Sequence, residues 1–132
     1  MKKLFISCPM KGRTEENIRA SMDKMHKLAE LILGEELEVI QSYIEDKPPE
    51  NIQQSIWYLG ESIKKLAEAD VFVGISLYDG CWHGCAVEAT AAQRYGIRTI
   101  IIPEMMLIDL MPDAWEIYRN RWDTAEKTLV GA

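Results

Sequence analysis

FISCPMKGRTEEN, residues 5–17, is a short apolar run that breaks into Cys8-Pro9-Met10, then Lys11-Gly12-Arg13, then Thr14 followed by Glu15 and Glu16. Threonine is a helix N-cap type, because its side-chain oxygen accepts from the otherwise unpaired amides of the first turn. The two glutamates behind it complement the positive end of a helix. The stretch therefore predicts a strand over residues 4–7, a small-residue turn, and a helix start. In α/β proteins that junction is where backbone N–H groups meet anionic ligands.

Working outward, Ile18, Met22, Met25, Leu28 and Ile32 recur at spacings of four and three, which is one face of a helix, and Gly34 suits its C-cap. Residues 37–42 alternate and predict a second strand. Lys47-Pro48-Pro49-Glu50 breaks regular structure. A second helix is expected over about 51–69, carrying Ile52, Ile56, Leu59, Ile63 and Leu66. Residues 71–75 are nearly all apolar, as in a strand buried on both faces. A turn-rich SLYDGCWHG follows at 76–84, then a helix over about 85–95 and a strand over 98–102.

The order β-α-β-α-β-α-β predicts a parallel sheet of four to five strands with right-handed crossovers and helices on both faces, ordered 2-1-3-4(-5). Beyond Pro103, PEMMLIDLMPDAW is Met-rich without clean periodicity, and residues 115–129 suit a closing helix. That segment either covers the sheet or makes a subunit contact. With 132 residues and 48% apolar content, the chain is expected to form a single domain over 1–132. The net charge of −6 argues against binding polymeric nucleic acid. No apolar run has the length of a membrane span. MKKLFISC has the charge of a signal peptide but too short an apolar stretch. Three cysteines are too few for a disulfide framework, so a cytoplasmic protein is expected.

In an open parallel sheet, ligands bind beyond the carboxyl ends of the strands, where the strand order reverses. Here the reversal lies between the first and third strands, so CPMKGR and SLYDGCWHG should meet. In the first loop, Gly12 permits close backbone approach and the cations Lys11 and Arg13 suit a phosphate or carboxylate; solvated turn charges read the same way. In the second, Glu88 is expected in the first turn of the third helix, four residues after Gly84. There the helix dipole would keep it ionised and nucleophilic, or simply pair with it. Asp79 and His83 either bind ligand hydroxyls or a base edge, or shape the turn. Trp82 is either a stacking surface for a heterocycle or a core tryptophan. Cys81-x-His83-x-Cys85, with Cys8 facing it, departs from the usual zinc spacings, so no metal is assigned.

FISCPMKG, LAEADVFVG and GCWHGCAVEATAAQRYGIRTI together resemble the nucleoside 2-deoxyribosyltransferase-like superfamily, most closely its small branch common in phage and bacterial genomes. The similarity runs over about residues 1–102. The resemblance implies a flavodoxin-like three-layer α/β sandwich that acts on N-glycosidic bonds without a cofactor. It implies Glu88 as the nucleophile that attacks the anomeric carbon. The first loop, Ser7, Cys8, Pro9, Met10, Lys11 and Gly12, would contact the sugar or 5′-phosphate. Beside the resemblance, Trp82, His83 and Gly84 of the second loop stand as candidates to line the substrate. The family usually carries an aspartate in the second helix, associated with proton transfer to the base; the corresponding residue here is Ser62. Glu61 beside it would point about 100° away around the helix. Either Asp79 or His83 would then take the acid role, or the leaving group needs none, or the protein binds without catalysing.

Two functions are expected from this reading. One is N-glycosidic cleavage or deoxyribosyl transfer on a nucleoside or nucleoside 5′-monophosphate. The other is non-catalytic nucleotide binding, for sequestering or sensing. The resemblance also implies a homodimer or larger homo-oligomer.

Overall fold

The computed structural model describes residues 1–41, 43–75 and 82–120. Its elements are β1 (Lys2–Ser7), α1 (Glu15–Leu33), β2 (Leu37–Val39), α2 (Gln54–Leu66), β3 (Val71–Ile75), α3 (His83–Arg94) and β4 (Arg98–Ile102). A 3-10 turn at Glu104–Met106 leads into α4 (Leu107–Leu110), and residues 112–120 are helical again. The four strands form one parallel sheet in the order β2-β1-β3-β4. With helices on both faces, this is a flavodoxin-like three-layer fold.

The layers follow from strand alternation, since successive side chains point to opposite faces. Leu4, Ile6, Val71, Val73 and Ile75 pack with Met25 and Ala29 of α1 and with Leu107, Met111, Ala114 and Tyr118. Phe5 and Phe72 point the other way, stacked at 5.9 Å, and pack with Leu66 of α2 and Ala89 and Ala92 of α3. One face is therefore covered by α1 and the C-terminal segment, the other by α2 and α3. All five residues of β3 are buried, as its unbroken apolar run requires.

Local signals set the ends of α1. Thr14 is extended at φ −76°, and its side chain accepts from the Asn17 amide; Gly34 closes the helix at φ +69°, where a left-handed backbone favours glycine. Asp70 ties the start of β3 to β1, taking a 2.8 Å hydrogen bond from the Lys3 amide.

Several boundaries differ from expectation. β2 has three residues rather than the six expected over 37–42, and Ser42 lies outside the described residues. α2 is shorter at both ends, and Ile52 and Ile56 are exposed, because the apolar stripe joins the core on this face through Ile63 and Leu66. The helix over 85–95 begins two residues earlier, at His83. Among the described residues there is no fifth strand: after β4 the chain turns at Pro103 into helical segments. The Met-rich stretch covers the α1 face of the sheet, with Leu107, Met111, Ala114 and Tyr118 buried. Residues 121–129 of the expected closing helix lie outside the described residues.

Candidate active site

Ser7 is the last residue of β1 and sits beside Gly74 of β3 in the parallel register. Alternation turns both toward the α2/α3 face. A Cβ on Gly74 would lie 2.7 Å from the Phe72 ring and 3.0 Å from the Ser7 Cβ, so a side chain cannot be added without displacing them. Ser7 at the end of β1 and Gly74, one residue before the end of β3, thus lie side by side on this face. Glu88 of α3 meets Ser7 there.

Its carboxylate is held by two hydroxyls from separate elements. Ser7 Oγ donates to Oε1 at 2.7 Å, and Ser62 Oγ of α2 donates to Oε2. Glu88 is only 9% exposed. Burial pushes its carboxyl above the ordinary range, while the hydroxyls of Ser62 and Ser7 pull it back in part. This corrects the dipole expectation. Because α3 begins at His83, its first turn carries no acidic residue and Glu88 falls in the second, so desolvation rather than the helix end sets its titration. Glu61 turns away as expected and pairs with Lys64 at 2.9 Å.

The first loop divides by burial. Ser7, Cys8 and Pro9 are buried, whereas Met10, Lys11 and Gly12 are exposed. The two loops meet as topology requires: Trp82 Nε1 donates to the Lys11 carbonyl at 3.1 Å. Trp82 is half-buried against the α1-side core and holds φ +51°, a left-handed conformation unusual for an aromatic residue. The indole therefore works as a clasp between loops as well as a packed residue. His83 is exposed, and the ideal Cβ of Gly84 would lie 3.9 Å from Leu59 of α2. Asp79 and Cys81 lie outside the described residues.

Burial pushes the Cys8 thiol up to about 11 and the Cys85 thiol up to about 12. Both are thus protonated at neutral pH, unlike an activated thiolate nucleophile. Among the described residues no three His, Cys, Asp or Glu side chains cluster as a metal site would require.

Arg13 does not face a ligand. Its side chain is 0% exposed and forms a two-pronged ion pair with Asp113, Nε to Oδ2 at 2.7 Å and Nη2 to Oδ1 at 2.9 Å. Asp113 and Gly74 carry roles that the sequence reading had not assigned. A glycine inside an apolar strand was the available signal for Gly74, since it marks a close approach. No comparable signal pointed to Asp113.

Ser7, Ser62 and Glu88 thus form one cluster, and Lys11 and Trp82 form a second, both reached from the carboxyl end of the sheet. A buried carboxylate held by two hydroxyl donors can act as a nucleophile, as a base, or as a charge opposite a developing cation. Comparison of the chain with family models, with curated proteins and with solved structures gives no match.

Proposed function

We propose that this protein cleaves or transfers the N-glycosidic bond of a nucleoside or nucleoside 5′-monophosphate, with Glu88 as nucleophile. The observation that carries the reading is the Ser7–Glu88–Ser62 cluster: a desolvated carboxylate positioned from three elements at the carboxyl end of β1 and β3. The resemblance to nucleoside 2-deoxyribosyltransferases supports it through Glu88 and the first loop.

Breaking the bond develops oxocarbenium character on the sugar, which a carboxylate stabilises by charge and then captures. A Glu88 oxygen forms a bond to the anomeric carbon as the carbon–nitrogen bond breaks, and its electron pair leaves with the base. Asp79 or His83 supplies the proton that the base takes up. Water or a second base then attacks the same carbon and releases Glu88. Lys11 and the Gly12 backbone suit the 5′-phosphate. Ser7 and Ser62 orient the carboxylate, and their hydroxyls favour its ionised form. A homodimer or larger assembly is part of this proposal.

One observation favours a second reading, nucleotide binding without turnover. Both Glu88 oxygens already accept internal hydroxyl donors, and Ser62 stands where the family usually has its acid. Incubation with a panel of nucleosides and nucleoside 5′-monophosphates, followed by chromatography for free base, separates the two. The enzyme reading expects base release by the wild type and loss of it in Glu88→Gln. Equal background rates in both proteins would reject it. Ligand-induced stabilisation of both proteins without any release would establish the binding module.

A further inference from the structure

Arg13 spends its hydrogen-bonding capacity inside the protein. Beyond the Asp113 pair, Nη1 donates to the Pro9 carbonyl at 2.9 Å and to Cys8 Sγ at 3.5 Å. Nη2 donates to Ser21 Oγ at 2.6 Å and the Asn17 carbonyl at 3.3 Å. The guanidinium therefore grips both ends of the first loop and the start of α1, and its charge is balanced by a carboxylate from the C-terminal helical segment. The same segment meets the loop a second time. Gly12 holds φ +82°, and an added Cβ there would lie 3.7 Å from Ile117 Cδ1. The Arg13 amide closes the turn on the Met10 carbonyl at 3.1 Å. Across the site, Trp82 holds the Lys11 carbonyl.

We infer that the Arg13–Asp113 pair sets the conformation of residues 8–12, making Asp113 a positioning residue for the 5′-phosphate end of the ligand. This rests on the nucleotide reading above. Neutralising Arg13 internally leaves Lys11 as the exposed cation of the loop, and fixing the loop from behind presents Lys11 and the Gly12 backbone in one geometry. Preorganisation of this kind lowers the ordering cost of binding. The C-terminal segment, outside the span of the family resemblance, thereby becomes part of the site.

Amide hydrogen exchange tests the positioning without any ligand. Asp113→Asn should speed exchange at residues 10–13 by about tenfold while amides of α2 and β3 stay within about twofold. The double variant Arg13→Met/Asp113→Leu removes both charges and can keep the fold where a single change loses it, because apolar replacement of a buried pair is often tolerated. It should show the same local loosening. With substrate, Asp113→Asn should raise KM for a nucleoside 5′-monophosphate about tenfold, with kcat within about twofold and KM for the matching nucleoside unchanged. Unchanged loop exchange, or an equal rise in KM for nucleoside and nucleotide, would overturn the inference. If the wild type releases no base, the Glu88 chemistry fails. Exchange, together with thermal shift by the monophosphate against the nucleoside, still decides the role of Asp113.

Discussion

Glu88 has lost most of its water and gained two hydroxyl donors in exchange, and the balance leaves its carboxyl raised. A group whose folded-state pKa lies above its unfolded value favours folding most when protonated. That contribution is present below the unfolded pKa and is lost as pH rises through the folded one. Glu88→Gln, whose amide can still accept from one hydroxyl and donate to the other, should therefore be more stable than the wild type at pH 8, by about 1 kcal/mol. The advantage should vanish below about pH 4, where the carboxyl is protonated in both states. Urea denaturation across that range measures it. A variant that is stabilised yet inactive would fit a carboxylate kept for function at a cost to the fold. Ser62→Ala removes a donor that favours the anion. In the proposed base release, the acidic limb of the pH profile should then move upward, with Ser7→Ala acting in the same direction.

At the scale of elements, the helix starts and strand ends differ in what they support. Thr14 caps α1 on an exposed turn. Thr14→Ala should cost about 1 kcal/mol in urea denaturation and leave the proposed nucleotide binding intact. Gly74→Ala sits one residue before the end of β3, where the new methyl meets the Phe72 ring and the Ser7 Cβ. Overpacking of that kind costs about 1–3 kcal/mol. Because Ser7 is displaced as well, affinity should fall along with stability. Comparing the two variants separates a helix cap from a strand end that shapes the site. Trp82 spans both categories, as a left-handed N-cap of α3 whose indole reaches the first loop.

At the scale of the whole molecule, the buried Glu88 and the half-buried Asp113 pull pH dependence in opposite directions. The Arg13 guanidinium beside Asp113 holds its carboxyl below the ordinary range. Such a group contributes stability above its unfolded pKa, and that contribution disappears as pH falls through the folded value. The stability gap between wild type and Asp113→Asn should therefore be constant at neutral pH and close below about pH 4, as read by denaturation at fixed temperature. This pair spans 100 residues of sequence and joins the first loop to the segment that covers the α1 face. Among the described residues, no helix is long and apolar enough to cross a membrane.

The architecture was written in short-range terms. Thr14 and Gly34 bound α1, the apolar run 71–75 is β3 with its expected ends, and the alternation of strands with helices dictates a parallel sheet in which the two polar loops meet. The helix ends and strand runs depend on hydrogen bonds and side-chain periods within a few residues, and their order constrains the crossovers, so the sequence by itself makes them legible. Glu88 was legible as a candidate for the same reason, since it follows Gly84 into a helix of small residues. Its titration was not, because desolvation depends on what α2 and the ends of β1 and β3 place around it. Ser62 on one oxygen and Ser7 on the other come from 26 and 81 residues away. Arg13 read as a ligand cation, and only packing revealed the carboxylate that claims it. Charge state and hydrogen-bond partner belong to the local dielectric and to neighbours in space, and tertiary structure alone decides those.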